Sequence, residues 1–258
     1  MDNNLKVTVV QSTLAWENPQ ANFAHFEELL KAVSDVDIIL LPEMFNTGFS
    51  MESSKLSETM DGASVSWMKR IAQEKNSAIT GSVIIEEAGK YYNRLVWVLP
   101  DGSTKHYNKR HLFRMANEHE FFSQGEERII VEYKGWKICP MVCYDLRFPV
   151  WSRNDVNYDL VFYVANWPAA RVDAWSTLLK ARAIENQCFA IGVNRIGEDE
   201  SNISYCGGSA VHDPKGVLLS NFKNNQEDVQ TFDLSLKELN DFRLKFPVDM
   251  DRDEFKLT

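Results

Sequence analysis

The chain reads as an α/β protein, and three observations predict this. Short β-branched or apolar runs alternate with stretches of helical periodicity along all 258 residues. Two of the runs, 37–41 and 160–164, are almost continuously apolar, as in strands covered on both faces. No repeat, low-complexity segment or linker interrupts the alternation, so residues 1–258 are expected to form a single domain.

Residues 5–10 form the first strand. Asn18 is placed to cap a helix with Pro19 in its first turn, and Phe23, Phe26, Leu29, Leu30 and Val33 follow at helical spacing. The buried strand 37–41 ends at Pro42 and Glu43. A second helix fits 64–75, with Val65, Met68, Ile71 and Ala72 on one side. Residues 78–85 and 91–99 pair as strands around Glu87, Ala88 and Gly89, and Asp101-Gly102 turns the chain into a return strand at 104–107. Residues 108–125 are polar and irregular, and ordered loops of that length are usually functional. A strand from Trp136 stops at Cys143, and a second segment opens at Pro149. The strand 160–164 ends at Asn166-Trp167-Pro168. Asp173 is placed to cap a helix over 174–186, with strand 189–193 after it. Segments 209–212 and 217–220 flank the turn Asp213-Pro214-Lys215-Gly216. A last strand at 229–232 and a short helix at 234–242 lead into a charged tail, 243–258. Its Phe246, Pro247 and Phe255 make it a candidate to pack on a partner subunit.

Composition narrows the function classes. The chain is 44% hydrophobic and 25% charged, with a net charge of -9 and a pI near 5.1. With no run of Lys or Arg, nucleic acid is not an expected partner. The apolar runs are too short to span a bilayer, and the N-terminal residues lack a signal-peptide pattern. Cys139, Cys143, Cys188 and Cys206 form no CxxC pair, so neither a metal site nor a disulfide framework is expected. A cytoplasmic protein with free thiols fits.

The chemistry gathers at three strand ends. Cys143 sits where a strand breaks into a turn, which exposes a nucleophile and frees a backbone N–H for an oxyanion. Glu43 leaves a buried strand, and Lys109 follows the return strand. Neighbouring strands of such a sheet deliver their terminal residues to one rim. An amide carbon needs a nucleophile, a proton carrier and a stabiliser of negative oxygen. Cys143, Glu43 and Lys109 can supply these, with Lys109 also favouring the thiolate and the N–H of Tyr144 completing the oxyanion site. Each has an ordinary explanation when taken alone: a buried thiol, a solvated loop carboxylate, a surface lysine. A second arrangement is a Cys–His hydrolase, with His111 or His119 as base and Asp145 as its orienter.

Leu41-Pro42-Glu43-Met44-Phe45, Tyr107-Asn108-Lys109-Arg110-His111-Leu112-Phe113 and Val142-Cys143-Tyr144-Asp145-Leu146-Arg147-Phe148 resemble, in order, the three signature blocks of the nitrilase, or carbon–nitrogen hydrolase, superfamily. Leu179 to Asn186, Gly208-Ser209 and Asp213 to Gly216 extend the likeness over nearly the whole chain. The resemblance implies a four-layer α-β-β-α sandwich, no metal, no organic cofactor and a homodimer. It also implies a second glutamate about seven residues before a glycine. Glu118 before Gly125 matches, with Glu120 the competing choice. Where the family carries Pro-Gly ahead of that glutamate, this chain has Arg114-Met115-Ala116-Asn117. The Cys143 block is most similar to the omega-amidase branch, which implies hydrolysis of the terminal amide of small dicarboxylate monoamides such as 2-oxoglutaramate through a cysteine thioester. Trp167 would then wall an acyl pocket, and Arg171 or Arg147 would hold a carboxylate. A nitrilase, an N-carbamoyl hydrolase and a deaminated-glutathione amidase are the alternatives inside the family.

Overall fold

The computed structural model of the chain describes residues 3–254. In chain order the first half carries β1 (Asn4–Gln11), α1 (Pro19–Leu29), β2 (Ile38–Leu40), α2 (Ser53–Leu56), α3 (Ala63–Lys75), β3 (Ala78–Glu87), β4 (Lys90–Val98), β5 (Thr104–Asn108) and α4 (Glu118–Phe121). The second half carries β6 (Val131–Tyr133), β7 (Trp136–Val142), β8 (Leu160–Ala165), α5 (Val172–Asn186), β9 (Phe189–Asn194), β10 (Ile196–Glu198), β11 (Ser204–Cys206), β12 (Ala210–His212), β13 (Asp228–Ser235) and α6 (Leu236–Lys245).

Two sheets form, in the orders β13-β1-β2-β3-β4-β5 and β12-β9-β8-β7-β6, with β10 and β11 as a separate hairpin. They face each other, β4 meeting β7 and β1 meeting β9. The strand period of two distributes the core. Ile38 and Leu40 point into the cluster between the sheets, with Trp97, Ile138 and Phe162. Ile39 and Leu41 point the other way, to Phe23 and Phe26 of α1 and Met68 and Ile71 of α3. On the second sheet, α5 lies close on β9 because position 192 is glycine. A Cβ there would stand 2.4 Å from Leu179 and 2.5 Å from Trp175. Gly192→Ala should therefore lower stability by about 1–3 kcal/mol, seen as a fall in the urea midpoint at unchanged m-value.

The elements depart from the sequence expectation at identifiable points. Asn18 does cap α1 through Ala21 N–H, but the helix ends at Leu29, and buried Val33 sits in the turn beyond it. Asp173 is not a cap: a 3-10 turn over Ala169–Arg171 runs straight into α5, leaving Asp173 inside the first helical turn. The chain after Cys143 is a 3-10 turn, Cys143–Arg147, and residues 149–152 are not helical. Residues 217–220 contribute one bridge, Leu218 to His212, rather than a strand. Strands β6, β10 and β11 are three residues each, too short to show a period. The described part of the tail binds its own chain. Arg243 donates to Asp159 and to the carbonyls of Gln187 and Tyr158, and Arg252 donates to the Asn154 carbonyl. Leu244, Phe246 and Met250 stay exposed, and Phe255 lies outside the described residues. Among the described residues no helix is long and apolar enough to cross a membrane.

Candidate active site

Strands of both sheets end at one place. Glu43 follows β2, Lys109 follows β5, Cys143 follows β7 and Asn166 follows β8. Two residues here have a left-handed backbone, Met44 and Cys143, each at φ 43°. For residues with a Cβ that conformation costs about 1–3 kcal/mol, which the surroundings must hold in place. Ser82 Oγ accepts the Met44 N–H at 2.8 Å. Fully buried Asp145 secures the Cys143 turn by accepting from Val142 N–H at 3.1 Å, Tyr107 OH at 2.8 Å and His111 N–H at 3.0 Å. His111 Nδ1 lies 2.8 Å from the same carboxylate, and the ring stacks on Phe148 at 3.7 Å. Asp145 and His111 therefore do pair, as the Cys–His alternative required, but the hydrogen bond of the Cys143 thiol runs to the Asn166 carbonyl, at 4.0 Å, and not to a histidine. His119 is exposed.

Behind Cys143 lies a closed ionic cluster. Lys109 Nζ stands 2.8 Å from Glu43 Oε1 and 2.9 Å from both oxygens of Glu118, and all three side chains are at most 1% exposed. Glu118 also accepts the Phe113 N–H at 2.6 Å, and the second oxygen of Glu43 accepts the Asn166 N–H at 2.8 Å. Of the two glutamates weighed from sequence, Glu118 joins the cluster and Glu120 is exposed. Asn117, at φ 56°, makes the turn before it.

The electrostatics follow from burial. Burial opposes the charge on Lys109, but Glu118 and Glu43 outweigh it and hold the ammonium above the ordinary lysine range. Burial raises Glu118, with Lys109 opposing and Glu43 reinforcing. Burial also pushes the Cys143 thiol well above its usual value, Glu43 adds to this, and Lys109 only partly offsets it. Lys109 thus favours the thiolate, as expected from the sequence, but burial and Glu43 outweigh it. The arrangement suits proton transfer during attack rather than before it.

A cleft of about 690 Å³ opens over Cys143, lined also by Tyr144, Arg147, Trp167 and Arg171. Arg147 lies over the Trp167 ring at 5.0 Å, and Arg171 over the Phe113 ring at 5.2 Å. Neither arginine meets a carboxylate among the described residues, so the surface salt bridge that usually accounts for such groups is missing here. Trp167 serves two purposes: it packs on Trp175 at 5.3 Å and donates its indole N–H to the Arg171 carbonyl.

The sequence reading missed Asn93 and Asn166, which both contact Glu43. Asn93 left a signal: it lies in phase with Leu95 and Trp97 on β4, a polar residue among core-facing positions. The loop that carries Lys109 is closed at its neck by Gly125, whose N–H reaches the Lys109 carbonyl at 2.8 Å. A Cβ on Gly125 would stand 2.1 Å from the Asn108 carbonyl. Gly125→Ala should displace Lys109 and cut turnover about 10-fold or more, with a smaller change in KM, in steady-state kinetics.

Comparison with known proteins agrees with this geometry. A family model described as carbon–nitrogen hydrolase matches residues 6–244. The chain is 46% identical over 253 residues to omega-amidase YafV of Escherichia coli K12, covering 98% of each. It is 32% identical to a 2-oxoglutaramate amidase of Bacillus subtilis, over 94% of this chain and 95% of that one. The crystal structure of XC1258 from Xanthomonas campestris, a CN-hydrolase superfamily protein with an arsenic adduct in its active site, superposes with a TM-score of 0.96 at 44% identity, over 99% of both chains. Nit3 of Saccharomyces cerevisiae, of the nitrilase superfamily, shares the fold with a TM-score of 0.85 at 23% identity and 95% coverage of each chain. The two facing sheets, the outer helices and the three signature blocks thus meet in one conclusion: the chain belongs to the carbon–nitrogen hydrolase family.

Proposed function

We propose that this protein is an omega-amidase, one hydrolase domain that releases ammonia from small dicarboxylate monoamides such as 2-oxoglutaramate through a thioester on Cys143. The observation that carries the reading is the cleft itself. It has a cysteine backed by the Glu43–Lys109–Glu118 cluster at its floor and two arginines without carboxylate partners on its wall. The similarity to an omega-amidase and a 2-oxoglutaramate amidase supports it.

The chemistry proceeds by two displacements. Cys143 sulfur attacks the amide carbon as its proton passes to Glu43. Oε1 of Glu43 already accepts from Lys109 and Asn93, so Oε2, with Asn166 N–H as its one donor, is the oxygen free to carry the proton. The ammonium of Lys109 has three hydrogens and three acceptors here, Glu43 Oε1 and both oxygens of Glu118; giving up one of the two Glu118 contacts turns a hydrogen to the oxyanion. The Tyr144 N–H, at the start of the 3-10 turn with no partner inside it, is the second donor. Glu43 returns the proton to the leaving nitrogen, and ammonia departs. Water then attacks the thioester, again losing a proton to Glu43. The acid leaves, and the thiol is restored.

Ammonia release from 2-oxoglutaramate, its ester, glutaramate-type amides and aliphatic nitriles tests the substrate. The acid should exceed its ester at least ~10-fold in efficiency, since a paired carboxylate is worth about 1.4 kcal/mol or more. Arg147→Leu or Arg171→Leu should erase that ratio. Nitriles outperforming every amide would overturn the assignment.

The proposal extends to a homodimer in the cytoplasm. Ile184 and residues 217–219 make an exposed apolar patch beside Gly216, which a second copy would cover. The four free thiols suit a reducing compartment. Light scattering of wild type and Leu218→Lys should read dimer and monomer.

A further inference from the structure

We propose that Asn93 is the positioning residue of this site, an amide that bridges the two buried carboxylates and assigns the proton-carrying task to one oxygen of Glu43. The inference rests on the reading of Glu43 as the base. Asn93 Nδ2 stands 2.8 Å from Glu43 Oε1 and 3.1 Å from Glu118 Oε1. Lys109 Nζ contacts the same two oxygens. Amide and ammonium therefore span the carboxylate pair side by side. The main chain of Asn93 adds a third hold, because its carbonyl accepts the Lys109 N–H at 3.0 Å. One residue of β4 thus touches every member of the cluster behind Cys143.

Its orientation is forced. Turning the amide over would set Oδ1 against two carboxylate oxygens. As placed, Oδ1 is buried without a partner. An orphaned buried acceptor is unfavourable, and most such groups in folded proteins are paired. The donor side of the amide is what the site retains. With both donors on Oε1, that oxygen of Glu43 has little capacity left, and the proton moves through Oε2 toward the thiol. Asn93 does not line the cleft, so it acts without touching the substrate.

A residue that only fills space and one that positions carboxylates differ in what their loss changes. Donated hydrogen bonds favour the ionised carboxylate, so losing them moves its titration to higher pH. Asn93→Ala and the similarly branched, uncharged Asn93→Leu are compared with wild type and Glu43→Gln in two measurements. One is the pH dependence of Cys143 alkylation by iodoacetamide, which needs no knowledge of the substrate. The other is steady-state ammonia release from 2-oxoglutaramate. The acid inflection of alkylation should be absent in Glu43→Gln and displaced upward by about one pH unit in both Asn93 variants. Their kcat should fall about 100-fold with KM changed less than about 3-fold. If Asn93→Ala does not fold, Asn93→Leu, which keeps the branching and brings no charge, carries the test. Asn93→Ser, which keeps one donor, should recover part of the loss. An unchanged inflection in the Asn93 variants, or a fall in kcat that only tracks the fraction of folded enzyme, overturns the inference. An acid inflection that persists in Glu43→Gln overturns the base assignment first, and the inference with it. Wild type that alkylates as expected but releases no ammonia counts against the substrate alone.

Discussion

Cys143→Ala should abolish ammonia release and leave the protein folded. In both displacements of the proposed reaction the acyl group is carried on Sγ, so without it no thioester forms. Structural damage should be small. Cys143 lines the open cleft and is 8% exposed, so removing sulfur leaves no sealed void. Alanine carries the same Cβ, so the left-handed backbone at this position is neither relieved nor worsened. The unfolding free energy from urea melts should change by less than about 1 kcal/mol, while turnover falls to background. Mass spectrometry of wild type mixed with a slow amide should show an acyl adduct on Cys143. Cys139 and Cys188 are fully buried, and burial pushes the Cys139 thiol up to about 12, so alanine at those positions should spare activity. Measurable hydrolysis by Cys143→Ala would end the thioester mechanism.

Lys109→Met should harm both rate and stability, with a diagnostic pH dependence. Loss of an oxyanion donor costs about 3 kcal/mol, or ~100-fold in rate. The structure adds a second effect. Glu43 and Glu118 are fully buried and share this one lysine, so methionine strands two carboxylates in the interior. Removing one partner of a buried ion pair typically costs about 3–5 kcal/mol. The sign with pH follows. In the variant, a stranded carboxyl titrates higher in the folded than in the unfolded chain. Its penalty is then largest at neutral pH and shrinks as the pH falls and the carboxyl takes up a proton. Urea melts at pH 7.5 and 5.5 should show the gap between variant and wild type closing on the acid side. A gap of equal size at both values would mean that the cluster is not held by this charge.

Glu43, Lys109 and Cys143 were legible because strand ends are legible. A continuous apolar run tells where a strand stops, and strand order then brings separate stops to one rim. Glu118 was legible only through its distance from Gly125, and the reason is now geometric: the Gly125 N–H closes the loop on the Lys109 carbonyl. Asn93 sits in mid-strand, where the reading looked for core and not for chemistry. The hairpin of β10 and β11 lines the cleft through Tyr205 and its connecting loop, yet three-residue strands carry no period to detect. Asp145 was weighed as a catalytic orienter, and the structure makes it the anchor of the Cys143 turn. A buried carboxylate reads the same in sequence whether it serves a histidine or a backbone.

The clasped neck of the 109–125 loop also bears on how such enzymes diverge. Inside that neck a second, smaller ring closes, since Phe113 and Glu118 exchange hydrogen bonds. Only residues 114–117 lie between them, and Met115 and Ala116 of that stretch face the cleft. The tip is therefore a replaceable cassette. Its length and side chains can drift with the shape of the acyl group, while Lys109 and Glu118 remain where the two clasps hold them. Changes at Arg114, Met115, Ala116 and Asn117 can therefore reshape this wall of the cleft without reopening the chemistry beneath.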